Sequence, residues 1–228
     1  FGSFQYKNAK TPLIQPRGGF PTFDKQQDLY DSLNKAEADI FPLTIDSNTR
    51  LNDYQKALSM LKISEKTGRD LLNGYPLISH GYQTTRKLIE RHNTPISLRH
   101  GTPDARLLVE IALAAGVYEI EGGPISYVLP YSKDFPMDKS FLYWKYIDRL
   151  CARYSGLNKE ISRESFGALT ATMIPPVMTI VVQILEMLLS LEEGVKSFSV
   201  SFSQSGSITQ DIVLSNVLKK ASSKFAHS

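Results

Sequence analysis

The stretch Ile96 to Tyr131, ISLRHGTPDARLLVEIALAAGVYEIEGGPISYVLPY, limits the possible folds more than any other part of the chain. It reads as a strand, a helix and a second strand. Ile96-Ser97-Leu98 is a short apolar run that stops at Arg99-His100-Gly101. Thr102 is placed to supply an N-cap oxygen, Pro103 fits a first helical turn because its missing N–H would have no partner there, and Asp104 suits the positive helix end. Leu107, Leu108, Ile111, Ala112 and Ala115 recur at helical spacing, and Gly116 closes the helix in a left-handed conformation. Val117 to Ile120 is the second strand and ends in Glu121-Gly122-Gly123. Such a βαβ unit sets two strands parallel and leaves polar residues at their carboxyl ends.

The same rhythm runs from Thr11 onward. Strands are expected at Pro12 to Gln15, Asp39 to Ile45, Pro76 to Ser79, Ile96 to Leu98, Val117 to Ile120, Ser162 to Phe166 and Ser197 to Phe202. Helices are expected at Lys25 to Ala36, Asn52 to Thr67, Gln83 to His92, Pro103 to Ala115, Asp138 to Tyr154, Pro176 to Glu193 and Thr209 to Lys224. Alternation of this kind implies an α/β fold with a parallel sheet, because each parallel connection must hold a crossover. An open doubly wound sheet collects its ligand groups at one switch point, whereas nearly every strand here ends in a polar residue, as at a barrel mouth. The expected fold is therefore a (β/α)8 TIM-type barrel with about seven βα units present and the eighth missing. Residues 1–10 are expected to be an N-terminal extension and residues 11–228 the incomplete barrel domain. A chain that begins at Phe1 rather than Met is expected to be a fragment or a processed product.

Composition narrows the function. The 26 basic and 23 acidic residues are interspersed and leave a formal charge of +3, so no patch argues for nucleic acid. The single Cys151 excludes a disulfide within the chain and a cysteine metal cluster; in a helix it is expected to be a small core residue. A cytoplasmic protein with no signal peptide and no membrane span is expected. The most apolar segment, Val177 to Leu191, carries Gln183 and Glu186, is too short to span a bilayer and should be a buried helix. No phosphate-binding glycine loop and no nucleophile elbow occurs, and the Ser199 to Ser207 stretch reads as plain strand and loop. His80 and His100 lack metal-ligand spacing, so no metal site is expected.

Three arginines follow strands: Arg17 in Gln15-Pro16-Arg17-Gly18-Gly19, Arg50 in Asp46-Ser47-Asn48-Thr49-Arg50, and Arg99 in Leu98-Arg99-His100-Gly101. A guanidinium offers planar paired donors that match a carboxylate or phosphate, so three of them converging on one mouth suit an anionic small ligand. Each alone could simply cap a strand or pair with an acid. Glu121 could hold a ligand ammonium or move a proton, or could be a buried partner of Arg99. Tyr127 and Tyr131 could bind a second carboxylate through their hydroxyls, or pack as ordinary aromatics. Together these residues compose a pocket for an amino acid with two acid groups.

In order, QPRGG at 15–19, TIDSNTR at 44–50, GRDLLNGYP at 68–76, RHGTPDARLLVEIALAAG at 99–116, EGGPISYVLPY at 121–131, DRL at 148–150, SRESFGALTATMIPP at 162–176, EEGVKS at 192–197 and GSITQDI at 206–212 resemble the epsilon subunit of glutamate mutase (methylaspartate mutase), a family of adenosylcobalamin-dependent carbon-skeleton mutases. RHGTPDAR and the TIDxxTR segment are the specific parts. The resemblance implies a (β/α)8 barrel that meets a small cobalamin-binding subunit bearing a DxHxxG motif, and exchange of L-glutamate with threo-3-methylaspartate by a radical route. It places Arg17, Arg50, Arg99, His100, Glu121, Tyr127 and Tyr131 against the substrate, with Glu121 as the catalytic group. Gly19, Asn73 and Pro130 would line the adenosylcobalamin.

The chain also departs from the family. Pro124 stands where relatives have glycine and Val128 where they have asparagine, so the loop carrying Tyr127 is expected to be held differently. Ser201-Phe202-Ser203 replaces a glycine-rich strand end, and the family's eighth strand and the region after it have no counterpart. A further chain completing the barrel is thus an expected partner. The competing expectations are a truncated non-catalytic relative that binds an acidic amino acid or a protein, and a mutase for a different amino acid.

Overall fold

The computed structural model describes residues 11–129, 132, 134–157, 160–167 and 174–226; the expected extension at 1–10 lies outside them. The chain divides into two compact units, residues 1–120 and 121–228.

The first unit holds α1 (Phe23–Lys35), β1 (Phe41–Thr44), α2 (Ser47–Arg50), α3 (Tyr54–Thr67), α4 (Leu77–Glu90), β2 (Ile96–Arg99), α5 (Arg106–Ala115) and the start of β3 (Glu119–Glu121). β1 and β2 pair in parallel from Phe41 opposite Ile96 to Thr44 opposite Arg99, and β2 pairs with β3 at Ser97–Glu119 and Leu98–Ile120. All four residues of β2 are buried, as a parallel strand covered on both faces requires. Phe41, Leu43, Leu98, Ile120, Tyr30, Leu88 and Val109 form the core between sheet and helices.

Three expectations fail in this unit. Pro12 to Gln15 forms no strand: its backbone contacts run through Ile14, whose carbonyl accepts from the N–H groups of Asp39 and Ile40 and whose own N–H donates to Asp39 Oδ2 at 2.7 Å. Pro12 and Pro16 remove two donors that a ladder would use. Pro76 to Ser79 is not a strand either but the start of α4, with the His80 N–H donating to the Pro76 carbonyl at 3.1 Å. Gly81, at φ 73° and ψ 169°, kinks the helix before it continues, and the sheet-like pairing nearby is an isolated bridge between Ile45 and Tyr75. Finally, α5 starts at Arg106 with Ala105 as N-cap. Thr102 is therefore not the cap: its hydroxyl is buried without a hydrogen-bond partner, while its N–H donates to His100 Nδ1 at 3.2 Å. Gly116 does end α5 with φ 101°.

The second unit holds the last residue of β3, then α6 (Met137–Ser155), β4 (Ser162–Ser165), α7 (Pro176–Glu192), β5 (Ser197–Val200) and α8 (Ile208–Phe225). β4 and β5 are parallel from Ser162 opposite Ser197 to Ser165 opposite Val200, and the Gly122 N–H donates to the Glu164 carbonyl at 2.8 Å. Cys151 is buried in α6 as expected.

The α7 helix is buried differently from what its composition suggests. Thr179, Gln183, Glu186 and Ser190, at helical spacing, are buried, while Val177, at 61% exposure, and Met178, Val181 and Leu185 are open. Its polar stripe faces inward because it binds the ends of the neighbouring segments. Among the described residues no helix is long and apolar enough to cross a membrane.

The α/β class with parallel pairing therefore stands, but of the seven expected strands five form among the described residues, and a closed barrel of seven units is not established.

Candidate functional site

In the first unit, the segments carrying the three arginines meet at the carboxyl ends of β1 and β2. Thr44 and Arg99 are register partners at those ends, and the Ile45 N–H donates to the Arg99 carbonyl at 2.9 Å. Arg50 closes α2, the single turn that follows β1. That turn exists because the buried Asp46 caps it, with Oδ1 accepting the N–H groups of Asn48 at 2.9 Å and Thr49 at 3.1 Å. Asn73 braces the same turn, its Oδ1 accepting the Ser47 N–H at 2.9 Å.

Arg99 is almost wholly buried, and its Nη2 donates to the Gln15 side-chain oxygen, which ties the Gln15 to Gly19 segment to the end of β2. Arg17 is exposed on that segment and Arg50 half-buried. Gly19 is a close-approach glycine: a Cβ there would lie 2.7 Å from the Thr44 carbonyl oxygen and 3.3 Å from the Gly74 Cα. His100 is buried next to Arg99, and its Nδ1 accepts from Thr102, which assigns the ring proton of the neutral form to Nε2.

In the second unit, Glu121 ends β3 and is buried, and the equally buried Tyr127 donates its hydroxyl to Glu121 Oε1. Tyr127 also meets Trp144 edge to face, with ring centroids 6.0 Å apart. The turn joining Glu121 to Tyr127 is gripped from four directions. Gly122 donates to the Glu164 carbonyl, and its own carbonyl accepts from Arg163 Nη2 at 2.8 Å. The Pro124 carbonyl accepts from Ser140 Oγ at 2.8 Å. The N–H groups of Ile125 and Ser126 donate to Glu186 Oε1 at 2.9 and 2.8 Å. None of these contacts needs an N–H at position 124, which is why a proline is accommodated there.

Buried charge surrounds this turn. Arg163 donates from Nε to Asp148 Oδ1 at 2.7 Å and stacks 4.6 Å from the Trp144 ring centroid, while Ser190 Oγ donates to Asp148 Oδ2 at 2.9 Å. Burial pushes the Asp148 carboxyl above its ordinary value, opposed by Arg163. Burial pulls the Arg163 guanidinium down, but Asp148, Cys151 and Glu186 together outweigh it and leave the group above its ordinary value. Burial likewise raises the Glu186 carboxyl, opposed by the hydroxyl of Ser165 and the backbone donors of Ser126 and Ile125.

Arg17, Arg50, Arg99 and His100 thus share the first unit with Gly19 and Asn73, and Glu121 and Tyr127 share the second. Tyr131 and Pro130 lie outside the described residues. Asp46, Gln15, Glu186, Arg163 and Asp148 were given no site role from the sequence. The available signal was polarity out of place: Gln183 and Glu186 interrupt the most apolar segment, and Arg163 sits within a strand. Among the described residues no cluster of His, Cys, Asp or Glu is placed to hold a metal ion.

The sequence profile of the family described as "Methylaspartate mutase E chain (MutE)" matches residues 4–228. The chain is similar to the glutamate mutase epsilon subunit of Halobacterium salinarum, 42% identical over 207 residues covering 90% of this chain and 44% of that protein. It is 40% identical to that of Haloarcula marismortui over 96% of this chain and 45% of the relative, and 44% identical to that of Fusobacterium nucleatum over 85% and 41%. The chain spans a little under half the length of these relatives. A solved structure of mandelate oxidase with (S)-2-phenylpropionate is similar at a TM-score of 0.47 and 12% identity, covering 94% of this chain and 58% of that one.

Proposed function

The chain belongs to the methylaspartate mutase E chain family, and from that premise we propose that it supplies substrate-binding residues to a cytoplasmic glutamate mutase that interconverts L-glutamate and threo-3-methylaspartate. The observation that carries this reading is the meeting of the Gln15–Gly19, Asp46–Arg50 and Arg99–His100 segments at the carboxyl ends of β1 and β2. Guanidinium groups gathered at strand ends are suited to paired hydrogen bonds with the two carboxylates of such a substrate. Arg17, Arg50 and Arg99 are assigned that role, with His100 beside them.

Glu121 is assigned the substrate ammonium, holding it or exchanging a proton with it, and Tyr127 and Tyr131 are assigned carboxylate contacts. The Tyr127 hydroxyl donates to Glu121, so the carboxylate is oriented before any ligand arrives. Adenosylcobalamin is assigned to a small partner subunit with the DxHxxG motif, and a further polypeptide to completion of the barrel.

The residues named for the cofactor fit a contact surface rather than a cobalt-ligand set. Asn73 is an exposed amide with its oxygen engaged by Ser47, and Gly19 permits close approach at the end of β1. Pro130 is the third residue assigned there. When bound, the cofactor supplies the radical chemistry, and these residues supply binding, orientation and exclusion of water.

The test combines the chain with the partner subunit, adenosylcobalamin and a polypeptide supplying the remainder of a relative's length, and follows conversion of L-glutamate to 3-methylaspartate by proton NMR. Conversion supports the reading, and Arg99→Lys should raise the KM for glutamate at least about tenfold through loss of the two-point contact. Glutamate binding without turnover would instead identify a non-catalytic binder, and an unchanged KM in R99K would sink that residue's assignment.

A further inference from the structure

The α7 helix sends one carboxylate, Glu186, into the turn that joins the two site residues of the second unit. Glu186 is almost wholly buried; Oε1 accepts two consecutive backbone N–H groups, those of Ile125 and Ser126, and Oε2 accepts the Ser165 hydroxyl at the end of β4. The turn has closed around it. A Cβ on Gly123 would lie 2.1 Å from the Glu186 carboxyl carbon, and one on Gly122 would lie 2.3 Å from the Tyr127 ring. Gly122 sits at φ 110°, a conformation that side chains resist, so neither position accepts a bulkier residue.

We infer that Glu186 is a positioning residue: by holding the Ile125 and Ser126 amides it sets the path of the turn and so the placement of Tyr127 against Glu121. This rests on the reading of Glu121 and Tyr127 as substrate groups. The contact is specific in its chemistry. A carboxylate oxygen can take both N–H donors at once, and charge-assisted bonds of this kind are stronger than neutral ones. The Glu164, Arg163 and Ser140 contacts fix the first half of the turn at Gly122 and Pro124; the half that leads into Tyr127 is held by the Glu186 pair from outside and by the Val128 and Leu129 N–H groups donating back to the Ile125 carbonyl. Without it, the half-buried Ile125 amide and the buried Ser126 amide would lose their partners immediately before the residue whose hydroxyl meets Glu121.

The test compares Glu186→Met, which keeps the length and removes the acceptor, with Glu186→Gln, which keeps an acceptor oxygen. Amide hydrogen exchange is measured on the 228-residue chain, and L-glutamate affinity on the chain assembled with its cobalamin-binding partner. E186M should speed exchange at Ile125 and Ser126 at least about tenfold, leave the amides within α7 protected, and weaken glutamate binding by a similar factor. E186Q should restore both to within about threefold of the parent. Unchanged exchange at the two amides overturns the inference, as does faster exchange with glutamate affinity unaltered. A parent chain that binds no glutamate overturns the functional reading instead, and the exchange rates still decide whether Glu186 sets the turn. Should E186M fail to fold, Ser165→Ala removes one hydroxyl from the same carboxylate. Exchange about threefold faster at Ile125 and Ser126 is then expected, and an unchanged rate overturns the inference.

Discussion

Arg163 in β4 and Asp148 in α6 form an ion pair at 2.7 Å with both side chains removed from solvent. A buried pair of this kind contributes little net stability when intact, because two charges had to be desolvated, yet breaking it strands one charge. Asp148→Ala should therefore cost about 3–5 kcal/mol, read as a lowered urea midpoint. The double replacement R163M with D148L should cost clearly less. Equal losses for the single and double variants would show that the charge balance is unimportant.

Asp46 caps the turn that carries Arg50. Removing the cap in D46A should cost about 1 kcal/mol, measured by urea denaturation, and should weaken L-glutamate binding because α2 loses its shape. D46N retains an acceptor and should keep most of both. A D46A variant with native stability and native affinity would mean that the Asn73 brace alone seats Arg50.

Burial pushes the Cys151 thiol up to about 12. Because the thiolate is the reacting species, Cys151 should resist a thiol reagent in the folded chain and react promptly in urea. Labelling monitored by mass spectrometry should follow the unfolding curve; fast labelling of the native protein would contradict the packing of α6.

His80 Nε2 lies 2.8 Å from the Pro21 carbonyl, and its ring stacks on Tyr75 with centroids 4.4 Å apart. A carbonyl only accepts, so the folded ring carries its proton on Nε2, and burial lowers its pKa below the ordinary histidine value. The unfolded chain then binds the proton more readily. The contribution of this group is intact above the ordinary histidine pKa and is lost as pH falls through that value toward the lowered one. Urea midpoints taken at about pH 7.5 and about pH 5.5 should fall further for the parent than for H80Q. An equal fall in both would show that His80 is not the group responsible.

In the first unit β1 and β2 were legible because each is a short apolar run closed by a polar residue, whereas β4, Ser-Arg-Glu-Ser, is polar throughout and was placed by the alternation of strands with helices. β1, β2 and β4 to β5 fall inside or within one residue of their expected spans, and Arg50 and Arg99 stand near strand ends as read. The two misread strands, Pro12 to Gln15 and Pro76 to Ser79, are also short apolar runs, but proline borders both. Periodicity over four residues does not separate a strand from an extended tether or a first helical turn. The misplaced cap at Thr102 has a similar origin: local preference favoured a cap, but the helix starts at Arg106, too far along for the Thr102 hydroxyl to accept from its first turn.

The sequence by itself determined the α/β alternation, the positions of most helices, the strand-end arginines and the family, because each of these is written in local spacing or short motifs. Only the tertiary structure decided which polar groups meet. Gln15 reaches Arg99 across 84 residues, Glu186 reaches Ile125 across 61, and Asn73 reaches Ser47 across 26. Such pairings leave no periodic trace in the chain. They form because a polar group taken out of water must find a partner wherever the fold brings one, and that requirement turned the most apolar helix of the sequence into one whose polar stripe faces inward.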